Sequence, residues 1–219
     1  MTAVWILAAV IFSYAVGSIS FAVIFSKAFA HRDVRDFGSG SAGMTNVIRA
    51  IGVLPGILTF VCDALKGFVV CYAAKNFFFA NAFGADSAFC IYGAYLCGAI
   101  CMLGHMYPLF FGFKGGKGVA TSVGIFAVCC PLAIIAGLSV FVLCVLISKI
   151  VSLSSLIATI TVGVGVVLWN TDAALAWPQI VLTVLMCILV FVKHKDNIVR
   201  LSRGEEKKLK ARKEDKKNG

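Results

Sequence analysis

Long apolar stretches separated by short polar segments dominate the chain. Runs long enough to cross a bilayer, about 17–25 residues, lie at 4–26, 54–80, 88–107, 152–170 and 176–193. A further run, 118–148, would measure about 46 Å as one helix, against an apolar bilayer core of about 30 Å. Pro131 stands in its middle, so this run is predicted to form two short spans, 118–130 and 132–148. The pattern predicts an all-α, polytopic membrane protein with seven transmembrane helices.

The positions of Lys and Arg predict how these helices are oriented. Cytoplasmic loops of membrane proteins are enriched in Lys and Arg. With seven spans and the N-terminus outside, the inner side receives 27–49, 114–117, Lys149 and the basic C-terminal residues. The outer loops 81–87 and 171–175 contain no Lys or Arg. The sequence therefore predicts an outside N-terminus and a cytoplasmic C-terminus.

Composition agrees with a membrane protein and limits the classes of function. Of the 219 residues 60% are apolar and 14% are charged, whereas soluble domains are about 25% charged. No repeat of fixed period is visible, so 1–204 is predicted to form one integral-membrane domain and 205–219 a basic, flexible cytoplasmic tail. Most of the nine cysteines lie in apolar runs, where cysteine packs as a small apolar side chain. We therefore predict no metal site.

The first polar cluster, 33–49, follows the first span. It contains three glycines together with two serines, a threonine, an asparagine and two arginines. Backbone N–H groups of a glycine-rich loop can approach a ligand closely. An ordinary glycine-rich connection is the alternative interpretation.

The second polar cluster, 112–121, opens a span. Backbone donors, two lysines and a helix N-terminus together favour an anion, most naturally a phosphate. The spacing is not that of a Walker A loop, because three residues separate Gly112 from Gly116 and Gly118 follows Lys117. ATP hydrolysis is therefore not predicted. The alternative is a positively charged anchor at the membrane surface.

Two further polar groups complete the candidate chemistry. His194 and Asn197, at the end of the last span, are spaced i,i+3 and share a face if the helix continues. The alternative there is an interfacial helix end with solvated polar residues. Asp63 and Lys66 have the same spacing inside the second span, and charges in that environment pair with each other or line a cavity. We predict an internal ion pair.

Taken together, the clusters resemble a known family, the bacterial acyl-phosphate-dependent glycerol-3-phosphate acyltransferases of the integral inner-membrane type. The resemblance extends from Gly17 to Glu205 and rests on the blocks 39–46 with Arg49, 63–67, 104–108, 113–121, 149–153, His194 with Asn197, and 204–205. Ser20, Ser41 and Met44 depart from the residues usual in the family. None of these departures removes a group to which we assign chemistry.

The resemblance implies acyl transfer from acyl phosphate to the 1-hydroxyl of glycerol 3-phosphate, the first acylation of phospholipid synthesis. The catalytic set that it implies is Ser39, Arg49, Lys117, His194 and Asn197. The implied substrate-phosphate-binding residues are Gly38, Gly40, Ser41, Gly43, Thr45, Asn46, Lys114, Gly115, Gly116, Gly118 and Thr121. Asp63, Lys66, His105 and Glu205 are expected to support the site.

The resemblance also implies the surroundings of the reaction. It implies no metal or nucleotide cofactor, and nucleic acid is not an expected partner. The expected partners are the two substrates, membrane lipid and the peripheral enzyme that makes acyl phosphate. The expected location is the bacterial inner membrane, with the active site on the cytoplasmic side.

The sequence is also open to two other interpretations. The segment 31–36 has the His-x4-Asp spacing of a large soluble-domain acyltransferase superfamily, but the other blocks of that superfamily have no counterpart here. A transporter or channel for phosphorylated solutes is the alternative class of function. It is less favoured because the uneven spans lack a visible inverted repeat and the polar clusters gather on one side of the membrane.

Overall fold

A computed structural model describes residues 1–169 and 173–208, with side chains 173–175 excepted, and in these residues it is helical without strands. The helices are α1 (Thr2–Gly17), α2 (Phe21–Ala30), α3 (Met44–Ala50), α4 (Val53–Ala73), α5 (Phe79–Phe83), α6 (Ala88–Met106), α7 (Val119–Cys129), α8 (Pro131–Ser148), α9 (Val151–Trp169), α10 (Ala173–Lys193) and α11 (Lys195–Ser202). A π-helical turn, Ala74–Phe78, joins α4 to α5, and 3-10 turns lie at Val34–Asp36 and Leu109–Phe111. The predicted all-α class is confirmed for these residues. The predicted end of a span at 170 and the tail from 209 lie outside them.

The predicted proline break in the apolar run 118–148 is confirmed. Pro131 is the first residue of α8, a position where its missing N–H costs nothing. Within the described residues, the segments long and apolar enough to cross a membrane are Thr2–Ala30, Val53–Phe83, Ala88–Phe111, Pro131–Ser148, Val151–Trp169 and Ala176–Lys193. The 11 residues of α7 reach about 16 Å, roughly half of the apolar core. The number of seven crossings and the orientation of the termini therefore stay predictions.

The first apolar run is not one straight helix. The predicted span 4–26 lies inside the candidate span Thr2–Ala30, but α1 ends at Gly17 and α2 begins at Phe21. A Cβ on Gly17 would lie 2.3 Å from the carbonyl oxygen of Cys101, so the end of α1 packs directly on the backbone of α6. The chain turns at Ser18–Ser20 and leaves the Ile19 carbonyl without a helical partner. That carbonyl accepts a hydrogen bond from Lys66 Nζ at 2.8 Å.

The predicted ion pair inside the second span is confirmed. Lys66 Nζ lies 2.8 Å from Asp63 Oδ1 and 2.9 Å from His105 Nδ1, and all three side chains are buried. With the Ile19 carbonyl, three acceptor atoms surround an ammonium group that has three N–H bonds. Because an ammonium group cannot accept, His105 Nδ1 is the acceptor and the ring proton is on Nε2. This cluster joins α4 to the break between α1 and α2 and to the end of α6.

The helices pair so that polar groups lie inside and aliphatic groups outside. α8 packs along α9, α4 along α7 and α1 along α6. Buried positions include the hydroxyl residues Thr59, Ser154 and Ser155, whereas Leu146 and Ile147 on α8 are exposed. An outer face of aliphatic side chains suits a lipid solvent, because lipid tails are as apolar as leucine.

We predict that Asp63→Ala strongly destabilises the protein, because it leaves the ammonium group of Lys66 buried without its counter-ion. The expected loss in the free energy of unfolding is about 3–5 kcal/mol. Thermal unfolding in detergent would show it as a lower apparent melting temperature. Asp86→Ala is the matched control, since Asp86 is exposed in the turn before α6. Equal melting temperatures of the two variants would contradict the prediction.

Candidate active site

The first loop, between α2 and α3, folds around one buried asparagine. Asn46 lies in the first turn of α3 and is 4% exposed. Its Nδ2 lies 2.9–3.1 Å from the carbonyl oxygens of Val34, Phe37 and Ser41, which share its two N–H bonds. Its Oδ1 accepts from the N–H of Ser39 at 3.2 Å. The structure thus uses the amide of Asn46 to hold the shape of the loop, while its predicted contact with phosphate stays a prediction.

The second cluster is the lysine-glycine loop, residues 112–118, which joins α6 to α7. Gly112, Phe113 and Gly118 have φ of 65°, 58° and 86°, so the loop winds through left-handed backbone. Gly116 donates its N–H to the His105 carbonyl at 3.1 Å. A Cβ at Gly116 would lie 2.2 Å from His105 Nε2, so a larger residue does not fit there. The loop therefore rests directly on the end of α6.

Lys117 is the lysine of this loop that enters the site. Its Nζ donates to Oδ1 of Asn197 on α11. Burial lowers the pKa of Lys117 to about 8, with Glu206 acting in the opposite direction. A buried ammonium group of this kind is stabilised when an anion arrives beside it. Lys114 is exposed and lies outside the cavity lining described below.

His194 joins α10 to α11 as a neutral, oriented imidazole. Its Nδ1 lies 2.8 Å from the carbonyl oxygen of Val190. A carbonyl can only accept, so Nδ1 carries the proton and Nε2 is left as an acceptor. Burial, reinforced by the charge of Lys117, lowers the pKa of His194 to about 4. The ring is therefore neutral at pH 7.

Glu206 is the residue that connects α11, through Asn197 and Arg200, to the rest of the site. Its carboxylate accepts from Ser152 Oγ at 2.8 Å, from Asn197 Nδ2 at 2.7 Å and from Arg200 Nε at 2.7 Å. Burial would raise the pKa of Glu206, but these hydrogen bonds outweigh it and hold the pKa below its usual value. One residue further on, the Lys207 carbonyl accepts from Arg49 Nη2 at 3.3 Å. The segment after α11 thus closes over the site.

These elements enclose a cavity of ≈ 550 Å³. All five predicted catalytic residues line it: Ser39, Arg49, Lys117, His194 and Asn197. The predicted residues that also line it are Gly38, Ser41, Gly43, Thr45, Asn46, Gly118, Asp63 and His105. Four cations face two carboxylates in this lining, namely Arg49, Lys117, Arg200 and Lys207 against Asp63 and Glu206. The arrangement suits ligands that carry several negative charges.

An apolar cavity of ≈ 50 Å³ adjoins the polar one between α7, α8, α9 and α10. Val119, Leu138, Phe141 and Ser155 line both cavities, so the two lie next to each other. The far part of the apolar cavity is lined by residues such as Phe126 and Met186. An apolar group that extends from the polar cavity in this direction would meet apolar side chains.

Several predicted residues lie outside the cavity lining, each for a visible reason. Gly115 and Gly116 lie behind the lysine-glycine loop, against His105, and Lys66 lies behind Asp63. Thr121 is fully buried in α7. Its carbonyl oxygen is the atom nearest to a Cβ built on Gly67, so α7 packs closely against α4 at this residue. Gly40 and Glu205 are exposed.

Five polar residues of the lining, among those that the structure describes, are not assigned from the sequence: Ser152, Ser155, Arg200, Glu206 and Lys207. Ser152 lies within the block 149–153 that contributes to the resemblance, and Arg200 lies three residues after Asn197. Glu206 stands next to the predicted Glu205 and inside the segment predicted as a tail. The feature of the sequence that points to Glu206 is an acidic pair, Glu205 and Glu206, at the start of a strongly basic segment.

The apolar helices and the cation-lined cavity are those of an integral membrane protein with a polar site that suits anionic ligands. The model of a family described as glycerol-3-phosphate acyltransferase matches residues 7–204. The chain belongs to this family, and it is therefore an acyltransferase that acts on glycerol 3-phosphate.

Relatives and solved structures agree with this assignment. "Glycerol-3-phosphate acyltransferase 2" of Bacillus anthracis is 36% identical over 199 residues, 91% of this chain and 96% of the relative. The glycerol-3-phosphate acyltransferase of Thiobacillus denitrificans is 40% identical over 204 residues, with 91% and 95% covered. The crystal structure of PlsY (YgiH), an integral membrane glycerol 3-phosphate acyltransferase in its glycerol 3-phosphate form, superposes with a TM-score of 0.81 at 36% identity, over 94% of this chain and 96% of that one. Its lysophosphatidic acid form gives 0.79 at 35% identity, with 94% and 95% covered.

We predict that the KM for glycerol 3-phosphate rises as the pH is raised from 7 to 9, because Lys117, with a pKa of about 8, loses its charge in that range. The ligand does not change, since a phosphomonoester has its second pKa near 6. Kinetics of Lys117→Arg test the cause, because a guanidinium group keeps its charge. An equally steep rise in that variant would assign the pH dependence to another group.

We predict that Glu206→Gln loses both activity and stability, whereas Glu205→Gln changes neither. Gln offers one acceptor oxygen in place of a carboxylate that accepts from three side chains. Hydrogen bonds of this charged kind contribute roughly 1.5–3 kcal/mol each. Turnover and the apparent melting temperature of the two variants would be measured side by side. Equal behaviour of the pair would show that the carboxylate of Glu206 has no special role.

Proposed function

We propose that this acyltransferase takes its acyl group from acyl phosphate and delivers it to the 1-hydroxyl of sn-glycerol 3-phosphate. The products are 1-acylglycerol 3-phosphate and inorganic phosphate, and the reaction is the first acylation of phospholipid synthesis. The observation that carries the proposal is a cation-lined cavity that shares part of its lining with an apolar one. Both proposed substrates carry a phosphate group, and the donor also carries an acyl chain.

The cations of the cavity are divided between two sides. Arg49 extends from α3, and Lys117 and Arg200 come from the lysine-glycine loop and from α11. In the proposed complex, Arg49 and the lysine-glycine loop hold phosphate, and Ser39 and Asn197 orient the substrates. Asn197 is suited to this because its amide already links Lys117 to Glu206. The acyl chain leaves the polar cavity past the residues that line both cavities, such as Phe141, towards the apolar side chains between α7, α8, α9 and α10.

The proposed chemistry is direct attack of the glycerol 1-hydroxyl oxygen on the acyl-phosphate carbonyl carbon. The new ester C–O bond forms, the bond between the carbonyl carbon and the phosphate oxygen breaks, and phosphate leaves. The leaving phosphate accepts the hydroxyl proton, so no separate base is required. A mixed anhydride is already activated, so positioning and charge stabilisation supply most of the catalysis. Nε2 of the neutral His194 can accept a hydrogen bond from the attacking hydroxyl group.

The proposed location is the bacterial inner membrane, with the cavity on the cytoplasmic side. The support is the charge of the loops, since the loop 31–43, the lysine-glycine loop and Lys149 carry Lys or Arg. The turn 84–87, at the other end of α6, carries neither. The proposed protein partner is the peripheral enzyme that makes acyl phosphate.

Phosphate release from palmitoyl phosphate by the purified protein, with and without glycerol 3-phosphate, tests the proposal. We expect release that depends on glycerol 3-phosphate, is absent with palmitoyl-CoA as donor, and falls at least 100-fold in Lys117→Ala and Arg49→Ala, on the order of one lost transition-state contact. Turnover with palmitoyl-CoA but not with palmitoyl phosphate would overturn the proposed donor and leave the family assignment intact. Unchanged turnover in both variants would overturn the proposed site.

A further inference from the structure

Arg35 connects the first loop to the lysine-glycine loop, and no step proposed above uses it. Its Nη1 donates to the carbonyl oxygen of Phe111 at 2.5 Å and to that of Lys114 at 3.4 Å. These contacts join residues that are 76 and 79 positions apart in the chain. Arg35 is therefore a direct polar connection between the two loops that bring Ser39 and Lys117 to the cavity.

Asp33 fixes the direction of this guanidinium group. Arg35 Nε lies 2.9 Å from Asp33 Oδ1 and Nη2 lies 2.8 Å from Oδ2, which is a bidentate pair. Asp33 Oδ1 also accepts the backbone N–H of Arg35 at 3.0 Å. The side chains are 16% exposed for Asp33 and 22% for Arg35. With Nε and Nη2 held in this way, Nη1 is the nitrogen that faces the other loop.

The receiving turn is shaped to offer its carbonyl groups. The N–H groups of Phe111 and Phe113 both donate to the Pro108 carbonyl, at 3.2 Å and 2.9 Å. Gly112 and Phe113 are both left-handed, and for phenylalanine that conformation is strained. This backbone brings the carbonyls of Phe111 and Lys114 to the same guanidinium group. Strain at Phe113 is maintained when surrounding contacts determine the conformation, and Arg35 supplies two of them.

Arg35 is also rigidly placed on its own side. The carbonyl of the preceding residue, Val34, accepts from the buried amide of Asn46. Further along, the N–H of Ala42 donates to the Gly115 carbonyl at 3.4 Å, a second and longer link between the loops. A displacement of the lysine-glycine loop would therefore be transmitted through Arg35 to the loop that holds Ser39.

We propose that Arg35, oriented by Asp33, is a positioning residue that sets the lysine-glycine loop, and with it Lys117, at a fixed distance from the first loop. The inference deepens the proposed function and rests on it, since the two loops are taken to hold the phosphate-bearing substrates. The contacts of this segment also argue against the interpretation of 31–36 as a catalytic His-x4-Asp motif. His31 is an exposed, left-handed residue at the end of α2, and the carboxylate of that segment that makes contacts is Asp33.

Kinetics of Arg35→Ala and Asp33→Asn test the proposal, with Arg32→Ala as the matched control. Arg32 is exposed on the same loop and lies over the ring of Phe37. We expect Arg35→Ala to raise the KM for glycerol 3-phosphate roughly tenfold with kcat within about twofold, because charged hydrogen bonds of this size position a binding group. Asp33→Asn should give a smaller rise, Arg35→Lys should restore part of the affinity, and Arg32→Ala should match the unsubstituted protein.

Hydrogen exchange of the Gly116 amide supplies a readout that requires no turnover. We expect faster exchange at 112–118 in Arg35→Ala, with α8 and α9 unchanged and with no effect of Arg32→Ala. Unchanged exchange at 112–118, or an equal increase throughout the protein, would overturn the inference. A KM that stays constant while the yield of folded protein falls would also overturn it, since Arg35 would then act on stability alone. If acyl phosphate is no donor, the exchange measurement still decides the role of Arg35.

Discussion

The ion pair of Asp63 and Lys66 is the constraint around which the fold is arranged. Charges inside a bilayer are costly unless they are paired and their remaining donors are satisfied. Here the ammonium group of Lys66 meets three acceptors, and they come from three parts of the chain: α4 itself, the break at Ile19 and the end of α6 at His105. Satisfying one buried charge therefore fixes where α1 must end and how α6 lies beside α4.

The site inherits its rigidity from this arrangement. His105, held by Lys66, is the surface on which Gly116 rests, so the lysine-glycine loop is supported from inside the membrane domain. From the first loop, Arg35 donates hydrogen bonds to the carbonyl groups of Phe111 and Lys114 and so holds the same segment from a second direction. A loop held on two sides can keep Lys117 buried and charged beside Asn197, where a mobile loop would let water screen it.

The sequence predicts those parts of the structure that depend on apolar length and on local pattern, such as the proline break and the ion pair. It also predicts that the three polar clusters converge, because all of them follow or precede spans at one side. It does not indicate that Lys114 lies outside the cavity lining, or that Glu206 rather than Glu205 lies in it. Which of the two residues enters the cavity depends on left-handed residues that turn the chain. A left-handed phenylalanine at 113 has no signature in the sequence. The role of Asn46 is equally ambiguous in the sequence, because an asparagine amide can hydrogen-bond the backbone of its own loop or a ligand.

Contact of Glu206 with Ser152, Asn197 and Arg200 has a consequence for biogenesis. Translation proceeds from the N-terminus, so α1 to α9 can enter the membrane before this carboxylate exists. Until then the positive charges of Lys117 and Arg200 face the same cavity with one fewer negative partner, and the start of α9 is not yet linked to α11. The contacts that join the start of α9 to α11 therefore form only after residue 206 has been synthesised.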